Sequence, residues 1–322
     1  MSPTLMIIGS RGQIGSIIEG YFQNLGFKIM TLNRVGDKSL PLLLKNGDQR
    51  VAQLGEASLR KNLTDIILNF NVTNVVHCAS PRGNISSLSA VDYQLLHFAN
   101  FELTNILIDS IHTAKTQTSL TFMGSSAMYE PTSNLYIVDE NTIPNPTSVY
   151  GSVKNKAINL INEAVSALHI NAHSLVLFNQ ESPLRPKGFL FHDLASQIAS
   201  YSRGDIKEIR VKDKYHTMDW SDARDLPSML NLCFENKSFE NYIVASGKLR
   251  TIESLILETA QLMQIDIHEG DIASATDKKS DRASLLGNSK KAYNLGWQGS
   301  RPASRTLSEF ASKLQNEYSH QR

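Results

Sequence analysis

The chain has 322 residues, 41% of them hydrophobic and 20% charged, with a formal net charge of +1. That length supports a substantial core in one large α/β domain or two smaller ones, and the composition is that of an ordinary soluble globule. The near-neutral balance supplies no long-range field for nucleic acid or an anionic membrane, so neither is expected as a partner. Cys78 and Cys233 are read as buried free thiols in a reducing compartment. The apolar run near the N-terminus is too short for a signal peptide or a span, and a cytoplasmic protein is expected.

In chain order, Leu5 to Ile8 predicts a short buried strand, followed by a glycine turn and a helix from Ile14 to Leu25. Phe27 to Leu32 predicts a second strand and Arg50 to Leu54 a third. Ala57 to Phe70 has helical spacing, Val72 to Ala79 reads as a strand, and Ala90 to Ala114 as one long helix. Leu120 to Met123 is a strand, Val149 to Leu168 a helix, and Ser174 to Phe178 a strand. This alternation predicts an α/β fold, a Rossmann-type doubly wound parallel sheet. After Asn179 the loops lengthen. A helix is expected at Phe189 to Tyr201, a strand at Ile206 to Val211, a helix at Ala223 to Phe234, and a strand at Tyr242 to Ala245. Further helices are expected at Ile252 to Met263, Ala292 to Trp297 and Leu307 to Leu314. The polar stretch Asp271 to Ser284 reads as a mobile loop. Residues 1–178 are expected to form the dinucleotide-binding domain, completed by about 212–245. Residues 179–211 and 246–322 are expected to form a smaller C-terminal α/β substrate lobe.

Gly9-Ser10-Arg11-Gly12-Gln13-Ile14-Gly15 lies between the first strand and the first helix. Glycines there permit a tight turn and close approach of backbone to a pyrophosphate at a helix N-terminus. A ligand-free βα turn is the competing reading. The second strand ends in Asn33-Arg34, where an acid would bind a ribose 2′-hydroxyl. Arg34, with Arg11 from the turn, offers guanidinium to a 2′-phosphate instead, so NADP(H) is expected rather than NAD(H).

Tyr150 and Lys154 lie four apart on a helix and share a face. An ammonium beside a phenol favours the phenolate, and such a tyrosine can exchange a proton with a carbinol oxygen during hydride transfer. Ser125, at a strand end 25 residues upstream, can hold the same oxygen. His169 and His173 do not make a metal pair, and no Cys/His cluster has ligand spacing, so no metal is expected.

Taken together, Gly9/Gly12/Gly15, Ser125 four residues before Tyr129, and Tyr150/Lys154 resemble the extended short-chain dehydrogenase/reductases. Within them, the resemblance is to the NAD-dependent epimerase/dehydratase family acting on nucleotide sugars. It extends through Asn100, Asn179, the segment Met218 to Asp225 and Asn294 to Trp297. Leu177 to Pro183 with Arg185 resembles the GDP-mannose 4,6-dehydratases, as does the Asp219 to Asp225 segment. The Gly124-Ser125-Ser126 turn and Arg11 resemble GDP-fucose synthase. The resemblance implies a nucleotide-sugar substrate and a homodimer built on the helices at 90–114 and 149–168. It adds Ala79 to the cofactor contacts and Ser80, Ser126, Asn179 and Arg185 to the substrate contacts. Met218 stands where the family often has a diphosphate-binding arginine, so Lys278 or Arg282 is expected to take that role.

Ala127 narrows the chemistry. The dehydratase resemblance implies a glutamate there and the GDP-fucose synthase resemblance a cysteine; a methyl group can do neither job. What remains is the hydride-transfer set, Ser125, Tyr150 and Lys154. The expected function is NADPH-dependent reduction of a nucleotide-linked 4-keto-6-deoxy sugar. A 4-epimerase with retained cofactor and a non-catalytic NADP-binding regulator are the alternatives. Ser126, Glu130, Glu181 and His216 are the side chains that could replace the missing base.

Overall fold

The computed structural model describes residues 2–34, 42–47, 49–54, 58–81, 89–276, 283–299 and 301–319. In its first half the chain runs β1 (Thr4–Ile8), α1 (Gln13–Asn24), β2 (Lys28–Arg34), β3 (Leu42–Asn46), β4 (Gln49–Leu54), α2 (Leu59–Asn69), β5 (Val72–His77), α3 (Ala90–His97), α4 (Leu103–Ala114), β6 (Ser119–Ser125), β7 (Leu135–Val138) and α5 (Val149–Leu168). It continues through β8 (Ala172–Leu177), β9 (Asn179–Glu181), α6 (Leu190–Ser202), β10 (Ile209–Val211), β11 (Thr217–Asp222), α7 (Leu226–Asn236), β12 (Tyr242–Val244), β13 (Leu249–Thr251), α8 (Ile252–Met263), β14 (Ile272–Ser274), β15 (Ser284–Gly287), α9 (Lys290–Asn294) and α10 (Ala303–Ser319). No helix among the described residues is long and apolar enough to cross a membrane.

The chain divides into two compact units. The first comprises Met1–Glu130, Glu140–Leu177 and Pro227–Ile243; the second comprises Pro131–Asp139, Phe178–Leu226 and Val244–Arg322. The central sheet has the order β12-β8-β6-β5-β1-β2-β3-β4. β8, β6, β5, β1 and β2 are successively parallel, whereas β2 to β3 and β3 to β4 are antiparallel. The parallel core is the expected doubly wound sheet, and β3 and β4 extend its edge antiparallel. Every residue of β1 is buried, as befits a central strand covered on both faces. α1 turns Gly15, Ile18 and Phe22 inward, three to four residues apart.

Strand order reverses at β1, which lies between β2 and β5. Ligands of open α/β sheets bind outside the strand ends at such a switch point. The loops after β1 and β5 meet there. Gly9 has φ +84°, and a Cβ on it would come within 2.8 Å of the Ala79 main chain.

The helix expected from Ala90 to Ala114 is interrupted by a turn of π-helix at Phe98–Glu102. Its start is fixed by a capping box between Ser89 and Asp92. Asn100, fully buried in the π turn, donates its side-chain amide to the Leu96 carbonyl, and Thr104 donates its hydroxyl to the Asn100 carbonyl. A π turn alters the i→i−4 ladder, and these side chains serve the carbonyls around it.

In the second unit, α6, α8 and α10 pack around Trp220, Leu194, Ile198, Leu255, Leu307 and Phe310. Asp219 accepts hydrogen bonds from Ser246 N, Ser246 Oγ, Gly247 N and Gly287 N, joining β11 to the loop after β12 and to β15. Arg224 pairs with Asp222 and, at 2.6 Å, with Glu309 of α10. The Asp219 to Asp225 segment therefore knits this unit together from inside. Of the expected mobile loop, Ile272–Ser274 instead forms a strand paired with β10, and residues 277–282 lie outside the described residues.

Candidate active site

The glycine turn is built by main-chain bonds. Gly9 N donates to Leu32 O at 2.9 Å, and Gly12 N donates to Gly9 O at 3.1 Å. A Cβ at Gly15 would collide with the Gly9 carbonyl, so the first turn of α1 can approach only as glycine. A Cβ at Gly12 would meet nothing nearer than the Gly9 carbonyl oxygen at 3.4 Å. A cavity of about 360 Å³ is lined by Gly9, Arg11, Gly12, Asn33, Arg34 and Ser80, among others. The Ser80 hydroxyl is buried there with no protein partner. A glycine cradle, a helix N-terminus, two guanidinium groups and an orphan hydroxyl fit a dinucleotide phosphate and ribose. Ala79, between Cys78 and Ser80, lines the same cavity.

The proton-transfer candidates also lie in the first unit. Ser125 is the last residue of β6, and its Oγ accepts the Ala127 N–H at 3.2 Å. Its own proton is left for an acceptor in the site. Ser126 starts a 3-10 turn, Ser126–Met128. Ser148 caps α5 by accepting the Gly151 N–H at 3.0 Å. A side chain at Gly151 would strike the Ala127 carbonyl, so the turn after Ser125 sits directly on the helix turn carrying Tyr150.

Lys154 is 3% exposed. Its Nζ donates to Met123 O at 2.7 Å and lies 4.6 Å from the Phe122 ring centroid and 5.8 Å from that of Tyr150. Burial pulls its pKa down to about 7, with Cys78 acting in the opposite sense. His77, edge-on to Phe122 with ring centroids 5.4 Å apart, is held neutral: burial, with Lys154 adding to it, lowers its pKa to about 3. Burial raises the Cys78 thiol to about 12, so Cys78 is a poor nucleophile. Both cysteines are free. Sequence reasoning missed Phe122, Met123 and His77, because a buried lysine's partners are main-chain and aromatic atoms that carry no motif.

Of the side chains that could replace a base at position 127, Glu130 is exposed and accepts the Thr147 hydroxyl at 2.8 Å. Asn179, Arg185, Glu181 and His216 belong to the second unit. Asn179 donates its amide to Asp219 O at 2.9 Å. Arg185 is committed internally: it pairs with Glu181 at 2.6 Å, donates to Gln180 O and stacks 4.9 Å from Phe189. Burial lifts the Glu181 carboxyl to about 7 against the pull of Arg185. Met218 is half-buried against the apolar core of its unit. Lys278 and Arg282 lie outside the described residues. Among the described residues no group of three His, Cys, Asp or Glu side chains is assembled for a metal. His173 is engaged with Thr121 through Nε2 at 2.8 Å and with Glu240 O through Nδ1 at 2.8 Å.

The sequence profile of the GDP-mannose 4,6 dehydratase family matches residues 6–309. The chain is 23% identical over 269 residues to the GDP-mannose 4,6 dehydratase of Cricetulus griseus, covering 78% of this chain and 70% of that one. It is 22% identical over 305 residues to that of Vibrio cholerae, covering 90% and 79%. Among solved structures it resembles RMD from Pseudomonas aeruginosa complexed with NADPH, with a TM-score of 0.78, 18% identity and coverage of 98% and 99%. It also resembles UDP-glucose 4-epimerase from Brucella ovis in complex with NAD, with a TM-score of 0.77, 17% identity and the same coverage.

Proposed function

The chain belongs to the GDP-mannose 4,6 dehydratase family, and we propose that within it this protein is a cytoplasmic, NADPH-dependent reductase of a nucleotide-linked 4-keto-6-deoxy sugar. The observation that carries the reading is Ala127 beside an intact Ser125, Tyr150 and Lys154. The turn holding Ala127 is packed against α5, and Glu130, the nearest acid in sequence, is tied to Thr147. GDP is the favoured nucleotide because the relatives named above are GDP-mannose enzymes.

When bound, the reduced nicotinamide supplies the hydride. The chain's own residues handle the proton. Ser125 donates a hydrogen bond to the keto oxygen while its Oγ is steadied by Ala127 N–H. As the C=O π pair moves onto that oxygen, Tyr150 passes it the phenol proton, and a C–H and an O–H bond complete the alcohol. The Lys154 ammonium favours the phenolate left behind, and anionic ligand phosphates favour the charged lysine. Arg11 and Arg34 support NADPH over NADH. A homodimer through α5, as the resemblance implies, would cover its exposed Lys156, Asn159, Asn162 and Glu163.

The test is incubation with NADPH and GDP- or UDP-linked 4-keto-6-deoxy sugars in deuterium oxide. The expected result is one NADPH consumed per ketone reduced at C4, with C3 and C5 unlabelled beyond an enzyme-free control. Enzyme-dependent deuterium at C3 or C5 would show a base acting after all. Conversion without net NADPH consumption would replace the reductase by a 4-epimerase.

A further inference from the structure

Asn33, the residue before the end of β2, is 8% exposed. Both ends of its amide are committed to the glycine turn. Oδ1 accepts the main-chain N–H of Arg11 at 3.2 Å, and Nδ2 donates to Ser10 Oγ at 3.1 Å. The side chain of Arg11 returns to the same strand end, where Nη1 donates to the Arg34 carbonyl at 3.3 Å. Ser10 is itself buried. Two cationic residues from segments over 20 positions apart are thereby held at one corner of the cavity.

We propose that Asn33 is a positioning residue for cofactor selectivity: its amide clamps the glycine turn to the end of β2 so that Arg11 and Arg34 meet the adenosine 2′-phosphate as a pair. This rests on the NADPH reading above. The chemistry of the side chain suits the task. It presents one donor and one acceptor, matching a serine hydroxyl and a main-chain N–H. It is neutral, so it does not compete with phosphate for the guanidinium groups, as a carboxylate at the same place would. A residue that merely touched the ribose would turn its polar atoms to the ligand; those of Asn33 face the protein, with little surface left.

The experiment is calorimetric titration of the full chain with NADPH and with NADH. It compares wild type, Asn33→Ala, Arg11→Ala and the double variant. Wild type is expected to favour NADPH. Asn33→Ala should lower the NADPH-to-NADH affinity ratio about tenfold while changing NADH affinity little. In the Arg11→Ala background the same substitution should leave the ratio nearly unchanged, because the side chain it positions is gone. Equal loss of both cofactors in Asn33→Ala overturns the proposal, and so do losses that simply multiply in the double variant. Asn33→Asp keeps an acceptor for Arg11 and for the Ser10 hydroxyl, so it guards against misfolding. It should also lower the ratio by adding a carboxylate beside the arginines. A wild type indifferent to the 2′-phosphate removes the reading beneath the proposal, and it shows before any variant is made.

Discussion

Lys154 delivers its ammonium to the main-chain oxygen of Met123, 2.7 Å away, inside a pocket that leaves the residue 3% exposed. The charge is thus fixed by backbone and by the face of Phe122 rather than by a carboxylate. Burial dominates its protonation, which is why its pKa falls to about 7.

A stability measurement can read that depression. In the unfolded chain a lysine keeps its proton to about pH 10, whereas the folded protein sheds it near 7. Between those values the unfolded state binds more protons, so wild-type stability gains from this group as pH rises. The burial cost is fully present below 7. Lys154→Met removes the titration, and its stability relative to wild type should be highest at pH 6. That difference should shrink by about 2–3 kcal/mol by pH 9. Urea unfolding at several pH values checks this, and a flat difference would contradict a depressed lysine.

Tyr150→Phe keeps the ring and loses the proton. Turnover of a 4-keto sugar should fall by about 10²–10⁴-fold, the usual worth of a placed acid. NADPH affinity should stay within about twofold, since the phosphates and ribose are held elsewhere. Steady-state consumption of NADPH and a binding titration together decide it; near-normal turnover would remove Tyr150 from the acid role.

Gly15→Ala puts a methyl group against the Gly9 carbonyl and within 2.6 Å of Ser10 Cα. Both neighbours are main chain and cannot swing aside, so the cradle must open. Cofactor affinity should fall by at least about tenfold, with far-UV circular dichroism unchanged. An unaffected titration would mean that the turn is not the phosphate seat.

Arg185→Met should act on stability first. It leaves a carboxyl that is 8% exposed without its partner at 2.6 Å, and burial then drives that group to its protonated form. Leaving a buried polar group without its partner costs about 1–3 kcal/mol. The double variant Arg185→Met/Glu181→Leu should recover a large part of the loss, and thermal unfolding reads both. If Arg185→Met melts like wild type, the pair contributes little and Arg185 is available for ligand.

The parts of this molecule that could be read from sequence are those written in local spacing. The strand, glycine turn and helix at Leu5 to Leu25 are continuous, and Tyr150 and Lys154 declare themselves by sharing a helix face. What escaped depends on partners far along the chain. Leu42 to Asn46 gave no alternation to mark it as a strand, and its place is set by antiparallel pairing with β2. β7 is four residues long and pairs with β15, nearly 150 positions away. The π turn at Phe98–Glu102 lies inside an otherwise unbroken helical pattern. α10 spans Ala303–Ser319, longer than expected, because its polar outer positions diluted the apolar signal. From sequence Asn33 only marked the absence of an acidic ribose contact; the fold reveals that its amide reaches Ser10 and Arg11.

Ser125 is steadied by the main-chain N–H of residue 127, and Lys154 by the main-chain oxygen of residue 123. Neither anchor consults the side chain at the position that provides it. Residue 127 can therefore exchange a methyl for a carboxyl or a thiol while the hydroxyl and ammonium stay where they are. On the proposed reading, a lineage carrying this frame could gain or shed a reaction step through a single codon, without first rebuilding the residues assigned to hydride and proton transfer.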